Sequence, residues 1–233
     1  MKRLLIMTMT LCILALCAPA LADEAASADE ATPAATLLYQ GHASLRITTA
    51  EGKTIYVDPY AGDGYDVPAD LILVTHKHQD HYNLKLIKTK NPDCETITNS
   101  EALVDGEYKT FKLGYVTVEA VQAGNNPNHD IKVCVGYILT LSDGKTIYIS
   151  GDTSQTDQMA TFAERNLDYA FFCCDGKYNM SAEEAAACAD LVAAKHSIPY
   201  HTQVGKLFNQ KIADRFNPQN KLVIQPGEEI SIE

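Results

Sequence analysis

Three of the chain's seven histidines and an aspartate fall inside Thr75-His76-Lys77-His78-Gln79-Asp80-His81. Imidazole nitrogens and a carboxylate packed this closely are the donor types that hold zinc, manganese or iron. His76 and His78 are two residues apart, so in extended chain they point the same way. Asp80 and His81 come where the chain must turn, and could serve a second ion. Left without a cation, so many buried donors would be expensive to keep together. Single candidates stand elsewhere. Asp58 lies in Tyr56-Val57-Asp58-Pro59, Asp152 in Gly151-Asp152-Thr153, and His201 in Ile198-Pro199-Tyr200-His201. His129 belongs to the polar stretch Gly124-Asn125-Asn126-Pro127-Asn128-His129-Asp130.

Most of these candidates sit where an apolar run ends. Leu71-Ile72-Leu73-Val74 precedes the histidine window, Thr146 to Ser150 precedes Asp152, and Val116 to Ala123 precedes the His129 loop. Such runs predict buried strands, and loops at strand exits can aim side chains from distant parts of the chain at one point. Further strands are expected over 43–49, 54–58, 108–113, 134–141, 168–174, 198–201 and 221–224. Turns are expected at Ala50-Glu51-Gly52-Lys53, Gly114 and Ser142-Asp143-Gly144-Lys145. Helices are expected over 82–88, 158–166 and within 204–216. A further one, from Ser181 to about Ala194, opens on a capping box with Ser181 as N-cap and Glu184 at N3. No internal repeat is evident. Many strands followed by alternating strands and helices favour two packed sheets with helices outside over a doubly wound parallel sheet.

The ends and the composition narrow the setting. Met1-Lys2-Arg3, the apolar Leu4 to Cys17 and Ala20-Leu21-Ala22 have the form of a secretory signal peptide spanning 1–22. Residues 23–35 are rich in Ala, Glu, Asp, Ser and Pro and read as an acidic tether. Residues 36–233 suffice for one domain. An exported, periplasmic or secreted protein is expected. A lipid anchor on Cys17 is disfavoured, because Leu16 stands where a small residue belongs. Loss of Lys2 and Arg3 takes the formal charge from −11 to −13. That balance argues against nucleic acid or an anionic membrane as partner and leaves a small molecule as the expected one. The five cysteines beyond the leader (94, 134, 173, 174 and 188) are odd in number, so they cannot all pair within the chain.

The ordered set of His-x-His-x-Asp-His, Gly-Asp-Thr and a late histidine, with Gly41-His42-Ala43-Ser44 and Val57-Asp58-Pro59 in their places, resembles the metallo-β-lactamase-fold superfamily. Within it the chain is most similar to the branch of L-ascorbate-6-phosphate lactonase. The resemblance implies an α/β, four-layer αββα sandwich and one or two metal ions, usually zinc, with manganese or iron as alternatives. It implies His76 and His78 on the first ion, Asp80 and His81 on the second, Asp152 bridging both and His201 completing the second. It places Asp58 behind the histidine loop as an orienting group. It also implies catalysis by a metal-bound hydroxide that Asp80 holds in place.

One slot departs from the family's pattern. Counting from Val116 puts Asn125 where a third histidine of the first ion is expected, and His129 lies four residues on. His129 either swings back to the ion or is an exposed loop residue. Tyr178 either lines the pocket or packs within its loop, and His42 either borders the site or serves the fold, the latter being favoured. Hydrolysis of a small ester, lactone, amide or phosphodiester is the expected function. A metal-retaining relative without turnover and a true β-lactamase are the alternatives.

Overall fold

The computed structural model describes residues 34–233; the expected leader and all but the last two residues of the expected tether lie outside them. Ala35, the last tether residue, is buried, and its carbonyl accepts from Ile232 N at 2.7 Å, so the folded unit already includes it.

The chain first lays down β1 (Thr36–Gly41), β2 (Ser44–Thr48), β3 (Thr54–Val57), β4 (Ala69–Leu73) and β5 (Lys90–Ile97). A short helix α1 (Asn99–Ala102) and a small hairpin of β6 (Leu103–Val104) and β7 (Glu107–Tyr108) follow. The second sheet takes β8 (Thr110–Lys112), β9 (Val116–Gln122), β10 (Val135–Leu141), β11 (Thr146–Ile149) and β12 (Tyr169–Cys173). After helix α2 (Ala182–Val192) it gains β13 (His196–Tyr200); helix α3 (Gln210–Arg215) and β14 (Glu229–Ser231) complete the chain. The sheet orders are β14-β1-β2-β3-β4-β5 and β13-β12-β11-β10-β9-β8.

Alternation along the strands builds the layers. Ile55, Val57, Leu71 and Leu73 face a core shared with Val118, Tyr137, Ile147 and Phe171 of the other sheet. Tyr56, Ile72 and Val74 face the opposite way, into a smaller cluster with Tyr65 and Ile87. The expected helix over 82–88 is there a single 3₁₀ turn, Leu84–Leu86. Its flanking Ile87 is extended and buried in the cluster, which ends the helix after one turn. The expected helix over 158–166 is likewise two 3₁₀ turns, Asp157–Thr161 and Ala163–Arg165. Met159 and Phe162 are both buried, and 3₁₀ winding stacks residues three apart. Asn166, in the left-handed region at φ 51°, ends the segment. Ser181 caps α2, accepting from Glu184 N at 3.1 Å, but the expected capping box is only half formed, because the Glu184 carboxylate accepts from Gln155 N at 3.3 Å instead. Strand β5, charged, proline-bearing and half exposed, has no apolar run to announce it, as suits an edge. The expected strand over 221–224 makes one bridge, Lys221 to Ser197; the terminal strand is β14.

The absence of a repeat does not survive the topology. In both sheets three antiparallel pairings are followed by two parallel ones: β14/β1, β1/β2, β2/β3, then β3/β4 and β4/β5; and β8/β9, β9/β10, β10/β11, then β11/β12 and β12/β13. The equivalent strands β3 and β11 both begin within Gly-Lys-Thr-Ile-Tyr, residues 52–56 and 144–148. Asp70 accepts from Thr54 N at 2.9 Å, and Asp168 from Thr146 N at 2.8 Å. The same local device opens both parallel pairs.

Candidate metal centre

The parallel strands β3, β4, β11, β12 and β13 end at one edge, and their exits carry Asp58, Thr75 to His81, Asp152, Asp175 and His201. Open sheets gather ligands at this carboxyl edge. Backbone bonds tie the two halves together there: Val135 N donates to Thr75 O at 3.0 Å, and His201 N to His42 O at 2.7 Å. His42, Asp58 and His201 all have left-handed backbone, φ 55°, 44° and 44°. Non-glycine residues adopt it at a cost that clusters at functional sites.

Five imidazoles share one construction: Nδ1 faces a fixed oxygen and Nε2 faces inward. His81 Nδ1 lies 2.8 Å from Asp58 Oδ2. Thr75 Oγ1 donates its only hydrogen to Asp58 Oδ2 at 2.7 Å, so it can only accept from His76 Nδ1, 3.1 Å away. His129 Nδ1 faces Asn126 Oδ1 at 3.3 Å, and His42 Nδ1 faces Lys206 O at 3.1 Å. His201 Nδ1 lies 3.4 Å from Asp175 Oδ2, in ion-pair range although off the line of a hydrogen bond. The inward Nε2 atoms of His76, His81 and His201, and Oδ1 of Asp152, are buried with no hydrogen-bond partner. Buried polar atoms are rarely left so, and this arrangement fits a cation.

The donors converge in overlapping groups whose atoms lie within 4.8 Å of one another: His76, His78 and His129; His42, Asp80, His81 and His201; and His76, His81 and Asp152. Asp152 stands between them, 3.3 Å from His81 Nε2, 3.3 Å from His129 Nε2 and 3.5 Å from His201 Nε2. All the residues expected to hold metal are therefore brought together, and His129, not Asn125, comes in beside His76 and His78. Asn125 is exposed and donates from Nδ2 to Gln155 O at 2.6 Å.

Charge follows the geometry. Burial, helped by His81, pushes the His76 pKa down to about 2. Burial also lowers His129 and His201, so all three stay neutral lone-pair donors. Burial pushes His81 down as well, but the Asp152 and Asp58 carboxylates outweigh it and hold its pKa well above the ordinary value. The contact between His81 Nε2 and Asp152 Oδ1, 3.3 Å, therefore favours a positive charge there, a proton or a metal ion. Burial pushes Asp152 up, but the facing His201 and His81 rings outweigh it and hold its pKa well below the ordinary carboxylate value. The close approach of the His42 ring, 3.2 Å away, lowers Asp80.

Residues 36–201 match the family described as beta-lactamase superfamily domain. The chain belongs to the metallo-β-lactamase superfamily. A UPF0173 metal-dependent hydrolase of Geobacillus sp. (strain WCH70) is 33% identical over 189 residues, which cover 70% of this chain and 83% of that one. A crystal structure assigned as a metal-dependent hydrolase of Parabacteroides distasonis ATCC 8503 is 30% identical, covers 83% of this chain and 94% of that one, and superposes with a TM-score of 0.68. A metallo hydrolase of Ignicoccus hospitalis shares the fold, with a TM-score of 0.64 at 20% identity over 86% of this chain and 99% of that one. The present chain is a hydrolase of this metal-dependent class. The names of these three relatives speak of hydrolysis in general and do not single out the lactonase branch.

Above the donors the hydrolase has a cavity of about 250 Å³ lined by His78, Asp80, Asn128, His129, Asp152, Tyr178 and His201. Tyr178 is 42% exposed at its mouth, and its carbonyl accepts from Asn128 Nδ2 at 3.3 Å. A second cavity of about 350 Å³ adjoins it along His78, Asn128 and His129. Asp175 escaped the sequence reading. Its carboxylate accepts from Lys177 N and Tyr178 N, both at 2.8 Å, and so supports the Tyr178 loop as well as facing His201. The only signal for it was its place after the apolar run ending at Cys174.

Proposed function

We propose that this hydrolase uses two metal ions, zinc foremost with manganese or iron as alternatives, to cleave a small ester, lactone, amide or phosphodiester. The observation that carries the proposal is the inward convergence of imidazole Nε2 atoms, each backed by an oxygen at Nδ1, around the buried Asp152 carboxylate. His76, His78 and His129 would hold one ion, Asp80, His81 and His201 the other, and Asp152 would touch both. When bound, such ions polarise a carbonyl or phosphoryl oxygen and lower the pKa of a held water to about 7.

The chain's own residues do the rest. Asp80 lines the cavity and turns Oδ2 toward His42 and His201, so its other oxygen would serve to orient the attacking water. Asp58 and Asp175 keep the imidazoles aimed from behind. Tyr178, at the mouth, is placed to contact substrate. The cavity's size favours a small substrate.

We further infer export, on the leader-like 1–22. All five cysteines in the described residues are free thiols. No helix among those residues is long and apolar enough to cross a membrane.

The test is metal analysis of the purified protein, followed by turnover of ester, lactone, amide, phosphodiester and chromogenic β-lactam substrates with and without chelator. Chelator-sensitive turnover that falls at least a hundredfold in Asp80→Ala supports the reading. A metal-loaded protein that turns over none of these, or activity that survives Asp80→Ala, overturns it.

A further inference from the structure

We propose that His42 is itself a metal ligand and joins Asp80, His81 and His201 around the second ion, beside the shared Asp152. The inference rests on the two-ion reading above and goes beyond the donors that reading requires.

Four observations carry it. His42 is fully buried, among a set of donors that is otherwise a metal site. Its ring is anchored as the other imidazoles are: a carbonyl only accepts, so Nδ1, 3.1 Å from Lys206 O, carries the hydrogen. In the neutral ring Nε2 is then a bare lone pair, and it faces Asp80 Oδ2, another lone pair, at 3.2 Å. Two acceptors settle at that distance only with a positive charge between or beside them, either a metal ion or a second proton on the ring. Finally, ligand atoms of His42, Asp80, His81 and His201 all lie within 4.8 Å of one another, three nitrogens and one oxygen, donor types suited to zinc.

The local fold is organised to keep His42 there. Its left-handed backbone turns the chain between β1 and β2. His42 N donates to Leu207 O at 2.6 Å, and His42 O accepts from His201 N, so the ring is fixed to the loop bearing one neighbouring donor. The His42 and His201 rings lie 3.8 Å apart.

Counting the shared Asp152, the second ion would have five protein donors, whereas the first, on His76, His78, His129 and Asp152, would have four and be the less enclosed of the two. The two ions would then differ, one held for charge and architecture and one exposed to substrate.

The experiment uses the mature chain, stripped and reloaded with cobalt(II), comparing wild type with His42→Asn and His42→Gln. Asparagine is chosen because it tolerates left-handed backbone. A merely orienting partner of Asp80 would account for about a 10–100-fold loss of affinity with the ion's own donors unchanged. Ligation predicts a loss of the second ion's affinity greater than 100-fold, together with a changed visible absorption of that ion. Anomalous scattering from zinc-loaded wild-type crystals is independent of whether the variants fold. It is expected to place an ion about 2.0–2.1 Å from His42 Nε2. An unchanged cobalt spectrum in both variants, or an ion centred beyond about 3 Å from that atom, overturns the proposal while the two-ion hydrolase stands. Failure of the wild type to bind metal at all would instead remove the reading on which it rests.

Discussion

The carboxylate of Asp58 accepts from Thr75 N at 2.8 Å and Thr75 Oγ1 at 2.7 Å, and meets His81 Nδ1 at 2.8 Å, so one buried group sets the orientation of two imidazoles. His81 is set directly, and His76 through the threonine hydroxyl. Asp58→Asn places an amide where the ring hydrogen of His81 must go. It is expected to weaken metal binding about 10–100-fold, measured by competition with a chromogenic chelator. Thr75→Val, which takes the hydroxyl from His76 but leaves Asp58 bonded to Thr75 N and His81, should cost less, and Thr75→Ser almost nothing. Equal affinity in Asp58→Asn and wild type would sink the argument. Proton linkage gives a second test. His81 has a raised pKa, so below it a proton competes with the ion, whereas His76, His129 and His201, with lowered values, hold none to release. Apparent affinity should therefore rise as pH climbs from about 6.5. Loading at pH 7 should release protons, read by calorimetry in two buffers of different ionisation enthalpy. At the disputed slot, His129→Ala should halve the zinc content, and Asn125→Ala should leave it unchanged.

Which elements carry the site was legible because buried strands announce themselves as apolar runs and the ligands stand at their ends; Leu71 to Val74 before His76 is the plainest case. The reach of a loop was not legible. Counting from β9 selects Asn125, but Asn125 is left-handed at φ 61° and the chain folds back at once, with Asn126 N and His129 O 3.3 Å apart and His129 N and Asn126 O 3.2 Å apart. Four residues of sequence thus collapse into one turn, and His129 arrives where counting placed Asn125. Asp175 was missed because one acid after two cysteines looks like any loop acid. The turn hangs on Gly124, which at φ 94° bonds through N to Asp152 O and accepts from Ser154 N and Thr153 Oγ1. A Cβ there would stand 2.8 Å from His129 O and 2.9 Å from Ile131 N, both backbone atoms that cannot yield separately. Gly124→Ala should therefore displace the His129 loop and remove the first ion while the second is retained. Gly144→Ala, at φ 86° with nothing near its Cβ, is the matched control. It should lose about 1–2 kcal/mol of stability from backbone strain alone and keep both ions. Ion loss in both variants, or in neither, would show that the close approach at Gly124 does not position His129.

The two sheets repeat one another in pairing pattern, yet only Gly-Lys-Thr-Ile-Tyr survives as shared sequence, because topology constrains burial and direction rather than residue identity. What the halves still share is mechanical. Asp70 at the start of β4 holds Thr54 N and Lys53 Nζ, and Asp168 just before β12 holds Thr146 N and Lys195 Nζ. Each carboxylate pins the opening of a parallel pair, and in each the hydrogen bonds outweigh the burial that pushes the pKa up, so the net shift is downward. The lysines are 45% and 63% exposed, so the ion pairs themselves add little. The backbone donor, buried at Thr54 and part-buried at Thr146, is the larger matter, and leaving it unpaired costs about 1–3 kcal/mol. Asp70→Ala and Asp168→Ala are therefore expected to destabilise by similar amounts in that range. The two sites share no partner, so the double variant should equal their sum within about 0.5 kcal/mol. Because both folded-state values lie below the unfolded one of about 3.9, this stabilisation is complete above that pH and disappears as pH falls through the folded values. The double variant should consequently lose less stability than wild type between about pH 4 and 2 in denaturant titrations. One costly substitution beside a silent one would mean that the sheets are alike in outline only, and that just one parallel pair depends on its aspartate.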